Sequence, residues 1–133
     1  MSESSGFTLI ELILVTVIIG ILAGMVTLTF RGAAEDARVK AVLGDIKSFE
    51  TAIEYYALKN QDRYPTTLKE LETAGILREL MPDPWGNPYV YLVPGTYHKN
   101  SYDVFSSGKD GQVGSADDVA SWLVNQKTEP VVP

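Results

Sequence analysis

From Phe7 to Phe30 the chain is almost uninterrupted hydrophobic sequence holding one charge, Glu11. At about 1.5 Å per residue the run makes a helix of roughly 36 Å, enough to cross a bilayer with some tilt. A carboxylate at the centre of a lipid-exposed helix costs about 2.5–3.5 kcal/mol. Glu11 stands near one end of the run, where the cost is smaller, and still calls for a functional partner. The simplest is a positive charge supplied by another subunit, since a monomer gains nothing from it. An ordinary secretory signal fits poorly, because no small-x-small cleavage site follows a short apolar core.

Past Phe30 the helical pattern continues without a break. Val39, Val42, Leu43, Ile46, Phe49, Ile53 and Tyr56 recur at three- and four-residue steps, with Arg38, Lys40, Asp45, Lys47 and Glu50 between them. The anchor therefore extends as an amphipathic helix to about Asn60, on the order of 80 Å in all. Its apolar stripe needs a cover, which the C-terminal part must supply. Gly20 and Gly24 weaken the first half by roughly 1 kcal/mol each relative to alanine.

Thr67 with Glu70 three residues on is a capping-box pattern, and Gly75 is a helix stop, which predicts a short helix over 67–74. Leu68, Leu71 and Ala74 form its apolar face. Three prolines make 81–88 a loop, with Trp85 as its structural anchor. Tyr89–Val93 and Tyr102–Phe105 read as strands, with a third around Ser121–Val124. The tail 125–133 reads as a frayed end.

Between the second and third strands lies an acidic loop, Ser106–Asp118, with Asp110, Asp117 and Asp118 among glycines. Carboxylates and inward-turned carbonyls in an irregular loop are what calcium takes. The EF-hand spacing is not matched, and spacing alone leaves a calcium site and a solvated acidic turn both open.

The opening Gly6-Phe7-Thr8-Leu9-Ile10-Glu11 resembles the processing site of type IV pilins and type II secretion pseudopilins. The resemblance extends to Asp83-Pro84-Trp85-Gly86-Asn87-Pro88-Tyr89 and to Ser106-Ser107-Gly108-Lys109-Asp110-Gly111 followed by Asp117-Asp118, which are similar to loops of the major pseudopilins. It implies an α+β, type IV pilin-like fold: a long N-terminal helix, membrane-spanning in its first half, packed on a small C-terminal antiparallel sheet. Residues 1–6 would be a leader cut after Gly6 by a prepilin peptidase, with methylation of the new N-terminal Phe7. Residues 7–30 would be the transmembrane and assembly helix, and 31–133 a periplasmic domain. Glu11 would neutralise the Phe7 amine of a neighbouring subunit. Asp110, Asp117 and Asp118 would bind Ca²⁺ through their side chains, with the carbonyls of Ser106 and Val113 completing the shell.

The implied function is a structural subunit of a type II secretion pseudopilus, a homo-oligomeric helical filament whose growth drives export of folded proteins. Its partners would be minor pseudopilins, the inner-membrane assembly platform and the prepilin peptidase. It would be a single-pass protein of the bacterial inner membrane. The alternatives are a type IV pilin for adhesion, motility or DNA uptake, and a monomeric membrane-anchored calcium module.

There are departures from the pattern. Met1–Gly6 carries Glu3 and no Lys or Arg, so charge does not set the orientation; either the true start lies upstream or the apolar run and the peptidase do. Leu28 stands where relatives often have proline, and so does Lys109.

The chain lacks cysteine, so an exported domain of this size needs a staple other than a disulfide, or must rely on assembly. That also leans away from pilins, many of which close a C-terminal disulfide loop. A net charge of -6 gives no electrostatic basis for nucleic-acid binding. Enzymatic chemistry has no support: His98 is the single histidine, with no evident acidic partner, and no nucleophile elbow, phosphate loop or zinc spacing occurs.

Overall fold

The computed structural model describes residues 5–123, the side chain of Leu28 excepted. Helix α1 runs Leu9–Lys59, helix α2 Lys69–Thr73, strand β1 Val90–Leu92 and strand β2 Asp103–Phe105. Packing divides the chain into two units, Met1–Ala37 and Arg38–Pro133. Within the first, none of the helix's described large apolar side chains is buried; Leu9, Ile10, Leu12, Ile13 and Phe30 are all exposed.

The core of the second unit forms where the periodicity places it. Val42, Ile46, Phe49 and Ile53 of α1 are buried, with Val39, Leu43 and Tyr56 partly so. Leu68 and Leu71, Tyr89 just before β1, and Val104 of β2 cover them. Phe49 meets the Tyr89 ring edge-on at 4.9 Å, a favoured aromatic geometry. The Tyr89 hydroxyl donates to Asp45 Oδ2 at 2.6 Å, and that of Tyr91 to the Pro65 carbonyl at 2.8 Å. Burial first, and then the Asp45 carboxylate, hold Tyr89 well above the usual phenol range, so the hydroxyl stays a donor. The chain leaves α1 through Gln61 and Asp62, both left-handed at φ 61° and 60°.

Helix α2 is shorter than the expected 67–74, and its cap is shifted. Its N-cap position is Leu68, which makes no side-chain cap bond. The reach-back carboxylate of Glu70 serves Thr66 foremost, with the Thr67 backbone amide a smaller partner. Its Oε1 accepts the Thr66 amide at 3.2 Å and also meets the Thr66 hydroxyl. Its Oε2 accepts the Tyr56 hydroxyl at 2.9 Å, which ties α2 to α1. The Thr66 hydroxyl above all keeps the Glu70 pKa below the ordinary carboxylate value. The helix closes as the glycine foretells. Gly75 is left-handed at φ 72°, its amide reaches the Glu72 carbonyl, and the Ile76 amide reaches Leu71, a Schellman motif.

β1 and β2 pair antiparallel, Val90 opposite Phe105 and Leu92 opposite Asp103. Each strand has three residues, fewer than the pattern suggested. Pro88 and Pro94 flank β1 and carry no amide for the ladder. The expected third strand around Ser121–Val124 is not found among the described residues. Val119 instead makes an isolated antiparallel bridge to Ser106, with bonds of 3.0 and 2.9 Å. Ser121–Leu123 is a helical turn, and Val124 and the tail 125–133 lie outside the described residues. The reason is local. The acidic loop returns the chain to the sheet at Val119, and Trp122 then turns to stack on Tyr97 at 5.1 Å.

Candidate functional site

In the first unit the site is the start of α1. Gly6 and Phe7 precede the helix, with Phe7 91% exposed. The most apolar 18-residue window of α1 has mean hydropathy 2.7 and no buried residue, so the helix is long and apolar enough to cross a membrane. A stripe of this extent left bare marks a membrane or protein contact. Glu11 is engaged within its own chain. Its Oε2 accepts both the Thr8 amide and the Thr8 hydroxyl at 2.8 Å, and the Thr8 hydroxyl accepts the Glu11 amide at 3.3 Å. This is a reciprocal capping box on the orphan amides of the helix start. It corrects the expectation that a monomer gains nothing from Glu11. The Thr8-to-Glu11 spacing was the signal that could have revealed it.

In the second unit the structure gathers the three loop aspartates on one hydroxyl. Ser115 Oγ lies 3.1 Å from Asp110 Oδ1 and 3.2 Å from Asp118 Oδ1, and it also contacts Asp117 Oδ1. The loop's amides serve the same carboxylates: Asp110 N–H to Asp117 at 3.0 Å, Gln112 N–H to Asp110 at 2.9 Å, Gly114 N–H to Asp118 at 2.7 Å. The Ser115 hydroxyl first, and then the Asp110 amide, lower the Asp117 pKa, which keeps that carboxylate ionised. A hydroxyl has one proton and cannot satisfy three carboxylates. The donor set is therefore rich in hard oxygen and short of positive charge, which fits a cation such as calcium. Joined through Ser115, the carboxylates form no ready cage: among the described residues no group of three or more His, Cys, Asp or Glu side chains is poised on a metal ion. Of the expected carbonyl ligands, Ser106 is engaged by the Val119 amide, and the Val113 side chain is exposed.

The loop rests on residues that sequence reasoning missed. Asp83, 4% exposed, accepts the amides of Trp85 at 3.1 Å and Asn87 at 2.8 Å and the Ser106 hydroxyl at 2.6 Å. Asn87 Nδ2 donates to the Gly108 carbonyl at 2.9 Å. An Asp two residues before a receiving amide is an Asx-turn signal, so the local half was readable.

His98 also needs correction. Its Nδ1 lies 2.8 Å from Asp103 Oδ1, and Asp103 is buried. Burial opposes the ionisation of Asp103, but hydrogen bonds from the Tyr97 amide, the His98 ring and the His98 amide outweigh it and lower the pKa. Asp103 thereby folds the 95–101 turn onto the sheet.

A bare apolar helix capped by its own glutamate, followed by a small unit built on the helix's amphipathic half, defines a type IV pilin-like subunit. Residues 29–122 match the profile of the type II secretion system protein G, and residues 1–27 that of the prokaryotic N-terminal methylation motif. The chain belongs to the type II secretion system protein G family and is a structural subunit, not an enzyme. It is 40% identical to the core protein G of Aeromonas hydrophila, over 90% of this chain and 93% of that protein. The Escherichia coli K12 core protein G is 37% identical, with 94% and 95% covered. In structure the chain resembles the major pseudopilin of the type 2 secretion system of enterohaemorrhagic Escherichia coli. The TM-score is 0.62 at 31% identity, covering 77% of this chain and 93% of that one.

Proposed function

We propose that this chain polymerises, through the helix beginning at Phe7, into the periplasmic pseudopilus of a type II secretion system, and that filament growth drives export of folded proteins. The observation that carries the reading is the exposed apolar helix with Glu11 at its start. Such a stripe is stable in two settings, lipid before assembly and neighbouring helices after it. The chain spans the inner membrane once, with residues 31–133 in the periplasm. The peptidase removes residues 1–6 and leaves a methylated Phe7 amine, the counter-charge for a neighbour's Glu11. Minor pseudopilins and the inner-membrane platform are its further partners.

Mass spectrometry of membrane-extracted protein tests the processing step. The expected mass is that of a chain beginning at methylated Phe7. Retention of residues 1–6 in a strain with active peptidase would contradict it.

The acidic loop is proposed to hold Ca²⁺ through Asp110, Asp117 and Asp118, with Ser115 released from its threefold contact. Bound metal would supply the positive charge the carboxylates lack, in a domain without disulfides. A ligand at a hundredfold excess over its Kd adds about 2.7 kcal/mol of stability. For the full chain in detergent micelles, calcium should raise the melting temperature of the second unit and chelator should lower it. Asp117→Ala should melt like the chelated wild type and respond little to calcium. Magnesium should substitute poorly, because it demands tighter octahedral geometry. An unchanged wild-type melting curve would reduce the loop to an acidic turn.

A further inference from the structure

We infer that Asn87 is a positioning residue for cation binding in the acidic loop, although it sits in a different loop and is not a ligand. The inference rests on the calcium reading above. The side-chain amide of Asn87 donates to the Gly108 carbonyl at 2.9 Å, across 21 residues of sequence. Gly108 is the hinge where the chain leaves β2 for the three aspartates. It is left-handed at φ 69° and lies directly against the backbone of Asp117. Its amide donates to Ser106 Oγ at 3.1 Å, and that hydroxyl donates to the buried Asp83 carboxylate at 2.6 Å. Both groups of Gly108 are therefore tied, directly or through one hydroxyl, to the Asp83–Asn87 turn.

The Asn87 backbone is held at both its polar groups. Its amide donates to Asp83 Oδ1 at 2.8 Å, and its carbonyl accepts the Asp83 amide at 2.9 Å. A methyl group on Gly111 would stand 3.2 Å from Asn87 Oδ1, so the acidic loop also packs closely on this side chain. Asn87 is thus a fixed post on which two glycines of the loop, one on each side of Asp110, are set. Without it, Asp110 and Asp117 lose the template that holds them at one locus against their repulsion. Outer residues that orient metal ligands typically change affinity by about 10–100-fold.

Isothermal titration of calcium into the full chain in detergent micelles tests this, with near-UV circular dichroism confirming a folded calcium-free state. Asn87→Ala should weaken calcium binding by about tenfold or more. Asn87→Asp should weaken it as well, because a carboxylate cannot donate to the Gly108 carbonyl. An electrostatic contribution alone would make that variant bind more tightly. Wild-type affinity in Asn87→Ala, or tighter binding in Asn87→Asp, overturns the inference. A wild-type chain that takes no calcium overturns the calcium reading itself, a distinct result.

Discussion

Gly108→Ala should destabilise the second unit by on the order of 2–5 kcal/mol, the sum of a conformational and a steric cost. Gly108 is left-handed at φ 69°, which costs a residue with a Cβ about 1–2 kcal/mol. The added methyl would overlap the Asp117 carbonyl oxygen and stand 2.8 Å from the Asp117 carbonyl carbon and Cγ. Backbone cannot rotate aside as a side chain can, so the loop must shift, at a further cost of about 1–3 kcal/mol. Moving Gly108 also strains the Asn87 and Ser106 bonds that hold it. Gly114→Ala is the control. Gly114 is left-handed at φ 89°, but its Cβ would meet open space, so only the conformational cost remains. Urea unfolding of the two full-chain variants in micelles separates the terms. Equal losses would mean that the Gly108–Asp117 backbone contact is not made.

Glu11→Ala should leave membrane insertion intact and abolish filament assembly. Removing a charge from an apolar helix favours insertion. In a filament it would leave a neighbour's Phe7 amine buried and unpaired, at roughly 3–5 kcal/mol per contact. The Thr8–Glu11 capping box complicates the simple reading, because alanine loses the cap as well. Glu11→Gln resolves it. The amide oxygen can still accept from Thr8, but the charge is gone. Filaments should be lost in both variants. Normal yield in Glu11→Gln with failure in Glu11→Ala would assign the residue to helix capping alone.

Much of this was legible from residue order because it is local. Val42, Ile46, Phe49 and Ile53 fall on one face of any helix drawn through them, and the structure buries all four. Gly75 ends α2 as a left-handed stop whatever lies around it. The aspartates 110, 117 and 118 are close in sequence, and glycine turns bring them together on Ser115. What escaped depends on tertiary partners. Asp83 finds the Ser106 hydroxyl 23 residues away, and no local pattern encodes that pairing. Ser121–Val124 has the apolar content of a strand. Whether it pairs depends on where the acidic loop rejoins the sheet, and that point is Val119. The left-handed Gln61 and Asp62 carry no glycine or asparagine signal. The His98–Asp103 pair needs the 95–101 turn to be closed before the two residues meet.

Whether this chain builds a filament is tested most directly by electron microscopy of cells overproducing it together with its secretion apparatus. Thin helical filaments that bind antibody against residues 31–133 are expected from the wild-type chain, and none from Glu11→Gln. A wild-type chain that is cut before Phe7, inserted in the membrane and still monomeric in such cells would contradict a filament subunit.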